Sequence, residues 1–200
     1  MSLRIVVTLV FAVILISGVV SGQQAVIEST VDVGIESGDL PRELNGFDGE
    51  IRGLWRDGRV LIGGQPDEPA FNRFKEMGVT VVVNFRSTAE MEDRDRVPFD
   101  EAAVVAGLGI EYVHIPLGGD DHPYTPQAVD RLADVLELHD GPVLIHCTVA
   151  WRASYMWAAY LVREQGFSLE DAMSRGEAMA IGDLPVEGLL GRQIQVVYAD

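Results

Sequence analysis

Cysteine occurs once in these 200 residues, lysine once (Lys75) and histidine four times. A single thiol excludes an internal disulfide. No cysteine and histidine cluster has the spacing of a metal site, so no metal and no other cofactor is expected. Positive charge is scarce, 15 Lys and Arg against 31 Asp and Glu, for a net charge of −16. Such a surface repels nucleic acid and anionic lipid, which excludes both as general partners, and otherwise serves solubility. A binding site for an anion must then be built from a few arginines and backbone amides. Long apolar runs are also few. The one candidate, residues 5–20, follows Arg4 and is interrupted only by Thr8, Ser17 and Gly18. It reads as a secretory signal over 1–22, with cleavage after Gly22 or Ala25. The run is slightly short of the ~20 residues of a spanning helix. An uncleaved inner-membrane anchor, with the domain outside the cytoplasm, is the alternative. Export to the periplasm is expected, with membrane contact only through this segment.

Residues 23–45 are polar and without sustained period, and read as a spacer. A domain is expected over 46–192, followed by a short tail, 193–200. Within it, 59–62 is a strand candidate ended by Gly63-Gly64-Gln65-Pro66. Glu68 to Met77 has helical spacing with Phe71, Phe74 and Met77 on one face, and Gly78 stops it. Thr80 to Phe85 is a β-branched run suited to a buried strand. Residues 86–98 are charged and read as a loop. A short helix over 100–107, a strand over 110–115 and a Gly/Asp/Pro loop over 118–126 follow. Thr125-Pro126 opens a helix to His139. Gly141-Pro142 bounds the strand before Cys147, and 152–165 is a helix apolar nearly all round, hence buried. Another helix starts at Ser168 and runs to about Ile181. Strands alternating with helices predict an α/β fold: one mostly parallel central sheet with helices on both faces. Ligands of such sheets bind beyond the carboxyl ends of the strands, where Cys147 lies.

The stretch His146-Cys147-Thr148-Val149-Ala150-Trp151-Arg152 places a thiol after a strand and an arginine at a helix start. Unsatisfied N–H groups and the positive dipole end of the helix would face the sulfur. Arg152 adds a permanent planar fork suited to oxyanions. Both effects lower a thiol pKa from its free value of about 8.5. The amides of Thr148, Val149, Ala150, Trp151 and Arg152 could cradle an anion. His146 points to the opposite face of the strand from Cys147, which suits a structural hydrogen bond better than a general base.

This pattern resembles the signature of the cysteine-dependent phosphatases, dual-specificity branch. Gly64-Gln65-Pro66, Val83-Asn84-Phe85-Arg86 with Glu90, His114-Ile115-Pro116 and the Trp157-containing helix fit in order and spacing. Together they resemble the bacterial phosphatase-like domains found alone, or fused to β-lactamase-like hydrolases or NAD-kinase-like domains. The well-known loop has five residues between cysteine and arginine. Here there are four, as is common in the bacterial subgroup and as the shorter loops of rhodanese-like sulfurtransferases also have. Loop length leaves phosphoryl and sulfane-sulfur transfer both open. The subgroup's glycine corresponds to Ala150 and its asparagine to Trp151. Alanine with positive φ costs about 1 kcal/mol or more. Trp151 could be a lid, a stacking surface for substrate, an obstruction or simple packing. The hydroxyl that helps the thiolate leave is replaced by Ala153, with Ser154 and Thr148 nearby.

The resemblance implies a hydrolase of phosphate monoesters acting through a cysteinyl-phosphate. Cys147 would be the nucleophile and Arg152 the phosphoryl anchor. Asp120 or Asp121 would be the acid for the leaving group, with His122 a weaker candidate. Thr148, Val149, Ala150, Trp151 and Ser154 would bind substrate, a small-molecule or protein phosphoester. An ion pair of Arg86 and Glu90 bracing the loop is expected. Two alternatives stand: a rhodanese-like sulfurtransferase carrying a Cys147 persulfide, and a catalytically dead anion-binding protein of the same fold.

Overall fold

Four short strands carry the site, and three of them are buried along their whole length. β3 (Val60–Gly63), β4 (Val81–Asn84) and β6 (Val143–His146) read VLIG, VVVN and VLIH. A strand apolar on both faces belongs in the middle of a covered sheet. In the computed structural model, which describes residues 31–35, 38–179 and 186–194, they lie there. The sheet has six strands in the order β1-β2-β3-β6-β4-β5. β3, β6, β4 and β5 (Glu111–His114) are mutually parallel. β1 (Arg42–Glu43) and β2 (Leu54–Asp57) are antiparallel additions at the other edge. The fold is therefore mixed but mostly parallel, as the alternation of elements predicts.

Alternate residues of each strand feed two cores. Val60, Ile62, Val81, Val83, Val143 and Ile145 pack with the helices α4 (Pro126–Leu138), α5 (Trp151–Glu164), α6 (Leu169–Ala178) and α7 (Val186–Leu190). Leu61, Val82 and Leu144 face the other way, onto Phe71 and Phe74 of α1 (Glu68–Glu76) and Val105 of α3 (Glu101–Gly107). No helix among the described residues is long and apolar enough to cross a membrane.

Several elements differ from the sequence reading. β2 forms a hairpin with β3, and Gly58 turns it with φ +57°, where a Cβ would lie 2.0 Å from the Val33 carbonyl oxygen. Part of the segment read as a spacer packs on the domain: Val33 is buried, and Arg42–Glu43 pairs with β2. The charged stretch 86–98 contains a short helix, α2 (Thr88–Glu92). Its start is a reciprocal capping box of Ser87 and Glu90, which fixes the helix without any apolar periodicity. α6 ends at Ala178, and α7 was not foreseen. The signal reading of 1–22 lies outside the described residues, as does the end of the tail.

A buried ion pair ties the hairpin to the helices. Asp57 accepts from Trp157 Nε1 at 2.9 Å and from Arg175 Nη1 at 2.6 Å. Trp157 in turn stacks on Tyr160. This brace anchors α5, whose first turn carries Arg152.

Candidate active site

Registry brings the strand ends level. His146 pairs with Gly63 on one side and Asn84 on the other, and Asn84 pairs with His114. Cys147 follows at once, donating its amide to the Gly63 carbonyl at 3.2 Å, and is only 1% exposed. The chain then crosses Gly64, whose α-carbon is so close that a Cβ would lie 3.2 Å from the Thr148 carbonyl oxygen. The Thr148 carbonyl accepts from the Gln65 amide at 3.2 Å. Among the described residues, the N–H groups of Thr148, Val149, Trp151 and Arg152 meet no hydrogen-bond acceptor. Free amides in succession at a helix start are anion-binding groups.

Ala150 has φ +71°, the only described non-glycine residue with a positive φ. The strain expected from an alanine in this position is therefore present, at about 1–2 kcal/mol. Ser154 steadies it: both its amide, at 2.8 Å, and its hydroxyl, at 3.0 Å, donate to the Ala150 carbonyl. The Ser154 hydroxyl is thus committed to the loop backbone. Trp151 begins α5 and is 46% exposed, so it does not serve as core packing.

Arg152 is held from three sides. It forms a bidentate pair with Glu90, Nη1 to Oε2 at 2.7 Å and Nη2 to Oε1 at 2.8 Å. It also donates to the Leu117 carbonyl at 2.8 Å and to the Thr148 hydroxyl at 2.9 Å. Burial alone would raise the Glu90 pKa. The Arg152 bonds, the Ser87 amide and the Thr148 hydroxyl outweigh it and hold the carboxyl well below the usual carboxylate range. Burial alone would lower the Arg152 pKa, but Glu90 and the neighbouring Cys147 raise it. The bracing carboxylate is thus Glu90, but its main partner is Arg152. Arg86, expected as that partner, has its Nε 3.7 Å from Glu90 and donates Nη1 to Gln65 Oε1 at 2.8 Å.

Behind the strand end lies a polar cluster in which Asn84, Glu101 and His146 are buried and Gln65 is half-buried. Glu101 accepts from Asn84 at 2.7 Å, from His146 Nε2 at 3.1 Å and from the Gln65 side-chain amide. Burial alone would raise the Glu101 pKa, but the His146 imidazole and these bonds bring it down. The structural reading of His146 therefore stands. Glu101 and Gln65 were not recognised as site residues. Their signal is a single acid at the start of a short helix and a glutamine within a turn, neither of which points inward from sequence.

Asp120 and Asp121 lie exposed on the loop after Leu117. They share a surface hollow with Ser87, Glu90, Leu117 and His122. Neither carboxylate bonds to a described residue. The loop reaches the site through Leu117 and Gly118, where a Cβ would be 3.7 Å from Arg152 Nη1. Tyr124, further along, was missed by the sequence. Burial raises its phenol pKa, Arg152 opposes this, and Cys147 and Glu90 add to it. Its hydroxyl therefore shares the field of the thiol and the arginine.

Known proteins share this fold. A 1.40 Å structure of a DUF442 protein from Shewanella putrefaciens CN-32, assigned as a phosphatase, is 28% identical with a TM-score of 0.56, covering 72% of this chain and 92% of that one. PTPMT1 in complex with PI(5)P (18% identity, TM-score 0.56, 66% and 88% covered) shares the fold. So does Pseudomonas aeruginosa TpbA in complex with pTyr (19%, 0.52, 77% and 95%). A β-lactamase hydrolase-like protein of Xylella fastidiosa (strain 9a5c) is 26% identical over 124 residues, which cover 62% of this chain and 27% of the relative. The chain thus spans about a quarter of that relative's length. The model of a family described as DSP-PTPase phosphatase fused to NAD+ kinase matches residues 47–188, and the chain belongs to that family.

Proposed function

We propose that the protein hydrolyses phosphate monoesters through a cysteinyl-phosphate on Cys147. The observation that carries this reading is the thiol at the end of the central strand, followed by free loop amides and a clamped Arg152. Cys147 attacks phosphorus, and the ester oxygen leaves with a proton from Asp120 or Asp121. Arg152 and the amides hold the non-bridging oxygens, and water then cleaves the S–P bond. Trp151, exposed beside Arg152, would offer a surface to the ester group. The phosphotyrosine and phosphoinositide bound by the two structural neighbours are both phosphate monoesters, which is consistent with this substrate class. We also propose export through residues 1–22, on the strength of their sequence pattern alone.

The test is a paired assay on the purified protein: hydrolysis of an aryl phosphate, and sulfur transfer from thiosulfate to cyanide. Aryl phosphate turnover lost in Cys147→Ser supports the proposal. Sulfur transfer without phosphatase activity establishes the persulfide alternative. Oxyanion binding without either activity establishes the binding protein.

A further inference from the structure

A guanidinium has five N–H donors, and in Arg152 four are already engaged. The two on Nη1 go to Glu90 Oε2 and the Leu117 carbonyl, with the Phe85 carbonyl more distant at 3.3 Å. The two on Nη2 go to Glu90 Oε1 and Thr148 Oγ1. Nε meets no acceptor among the described residues. Glu90, with one oxygen on each terminal nitrogen, takes the end of the fork. The edge left for a second bidentate anion is the side formed by Nε and Nη2, whose outer N–H bonds run parallel. Thr148 Oγ1, 2.9 Å from Nη2 and 2.8 Å from Glu90 Oε1, stands between the end of the fork and that edge.

Of the two occupants, Glu90 is the fixed one. Besides Arg152, its carboxylate accepts from the Ser87 amide at 2.9 Å, a bond that closes a helix cap and does not involve Thr148. Thr148 leaves the arginine by rotation about one side-chain bond. We propose that the Thr148 hydroxyl stands in for a substrate oxygen. It keeps Arg152 aimed while the site is empty and is exchanged for an oxyanion oxygen on binding. This rests on the anion-site reading above and assigns Thr148 as the positioning residue that sets affinity for tetrahedral oxyanions. The hydroxyl trades affinity for a preformed site: each binding event must first break its bond from Nη2 and its own bond to Glu90 Oε1.

The test is calorimetric titration of the wild-type protein, Thr148→Val and Thr148→Ser with inorganic phosphate and with tungstate. Valine keeps the shape and removes the hydroxyl, so it should bind about tenfold more tightly, the worth of one hydrogen bond to a charged group. Serine should bind as the wild type does. Equal or weaker binding by Thr148→Val, with Thr148→Ser unchanged, overturns the stand-in role and leaves the anion site intact. Absence of binding in all three proteins overturns the anion site, and the stand-in role with it. Should Thr148→Val not fold, the wild type alone decides through its Arg152 side-chain nitrogen resonances. Tungstate should move both the Nε–H and Nη2–H signals, and movement of Nε–H alone contradicts the exchange.

Discussion

Two loops meet at Arg152, and they are held in opposite ways. The loop from Cys147 to Arg152 is fastened at four of its six residues: to Gly63, to Gln65, to Ser154 and, through Arg152, to Glu90 and Leu117. It even holds an alanine at φ +71°. The loop after Leu117 is exposed and turns on Gly118 and Gly119, both with positive φ, and its two aspartates have no described partner. In the proposed mechanism the first loop would be a fixed anion cradle, and the second, exposed loop would supply the proton. An anion site gains from dipoles fixed in advance, because they need no reorganisation during reaction. A proton donor must follow the leaving group, and exposed loops suit that task.

The comparison can be broken most severely at the cradle. Arg152→Lys loses the planar fork, and kcat/KM for an aryl phosphate should fall about a thousandfold, as when an oxyanion donor is removed. The exposed loop should give a smaller and conditional effect. Asp120→Asn or Asp121→Asn, whichever is the acid, should lower kcat about a hundredfold for an alkyl phosphate and little for an aryl phosphate with a good leaving group. Equal losses with both substrates would assign the aspartate another task.

Glu90 supplies a pH test of the clamp. Its pKa in the folded protein lies below the unfolded value of about 4.3. Its contribution to stability is therefore fully present above about pH 4.3 and is lost as pH falls through the folded value. Glu90→Gln should lower Tm by a constant amount from pH 6 to 8, and the gap should narrow below about pH 4. A gap that does not change with pH would mean that the pair is held by shape alone. The smallest effect is expected at Ala150. Glycine there relieves about 1–2 kcal/mol of left-handed strain, against about 0.4–1 kcal/mol of added freedom in the unfolded chain. Ala150→Gly should raise Tm by about 2 °C, and a lower Tm would show that the strain is compensated elsewhere.

The rigid loop was also the legible one. Thiol, spacing and arginine stand within a few residues, the strand before them is marked by its apolar run, and the strain at Ala150 follows from the glycine that the resembling subgroup has there. The partners were harder to see, because they come from distant segments. Glu90 is one acid in a charged stretch, and its role depends on a helix start that only the Ser87 capping box reveals. Glu101, 45 residues from His146, reaches it only because α3 covers the sheet face opposite the thiol. Tyr124 lies in a Pro-Tyr-Thr-Pro turn with no periodicity to aim it. β2 escaped notice because its Trp55 and Arg56, paired with β1 and β3, are only half-buried and lack the apolar signature of the central strands.

The most direct measurement is acid-quench trapping of the protein during turnover of a 32P-labelled aryl phosphate, followed by peptide mapping. A burst of label on the peptide containing Cys147, absent in Cys147→Ser, is the result this account predicts. Turnover with no labelled peptide, or full activity in Cys147→Ser, would contradict it.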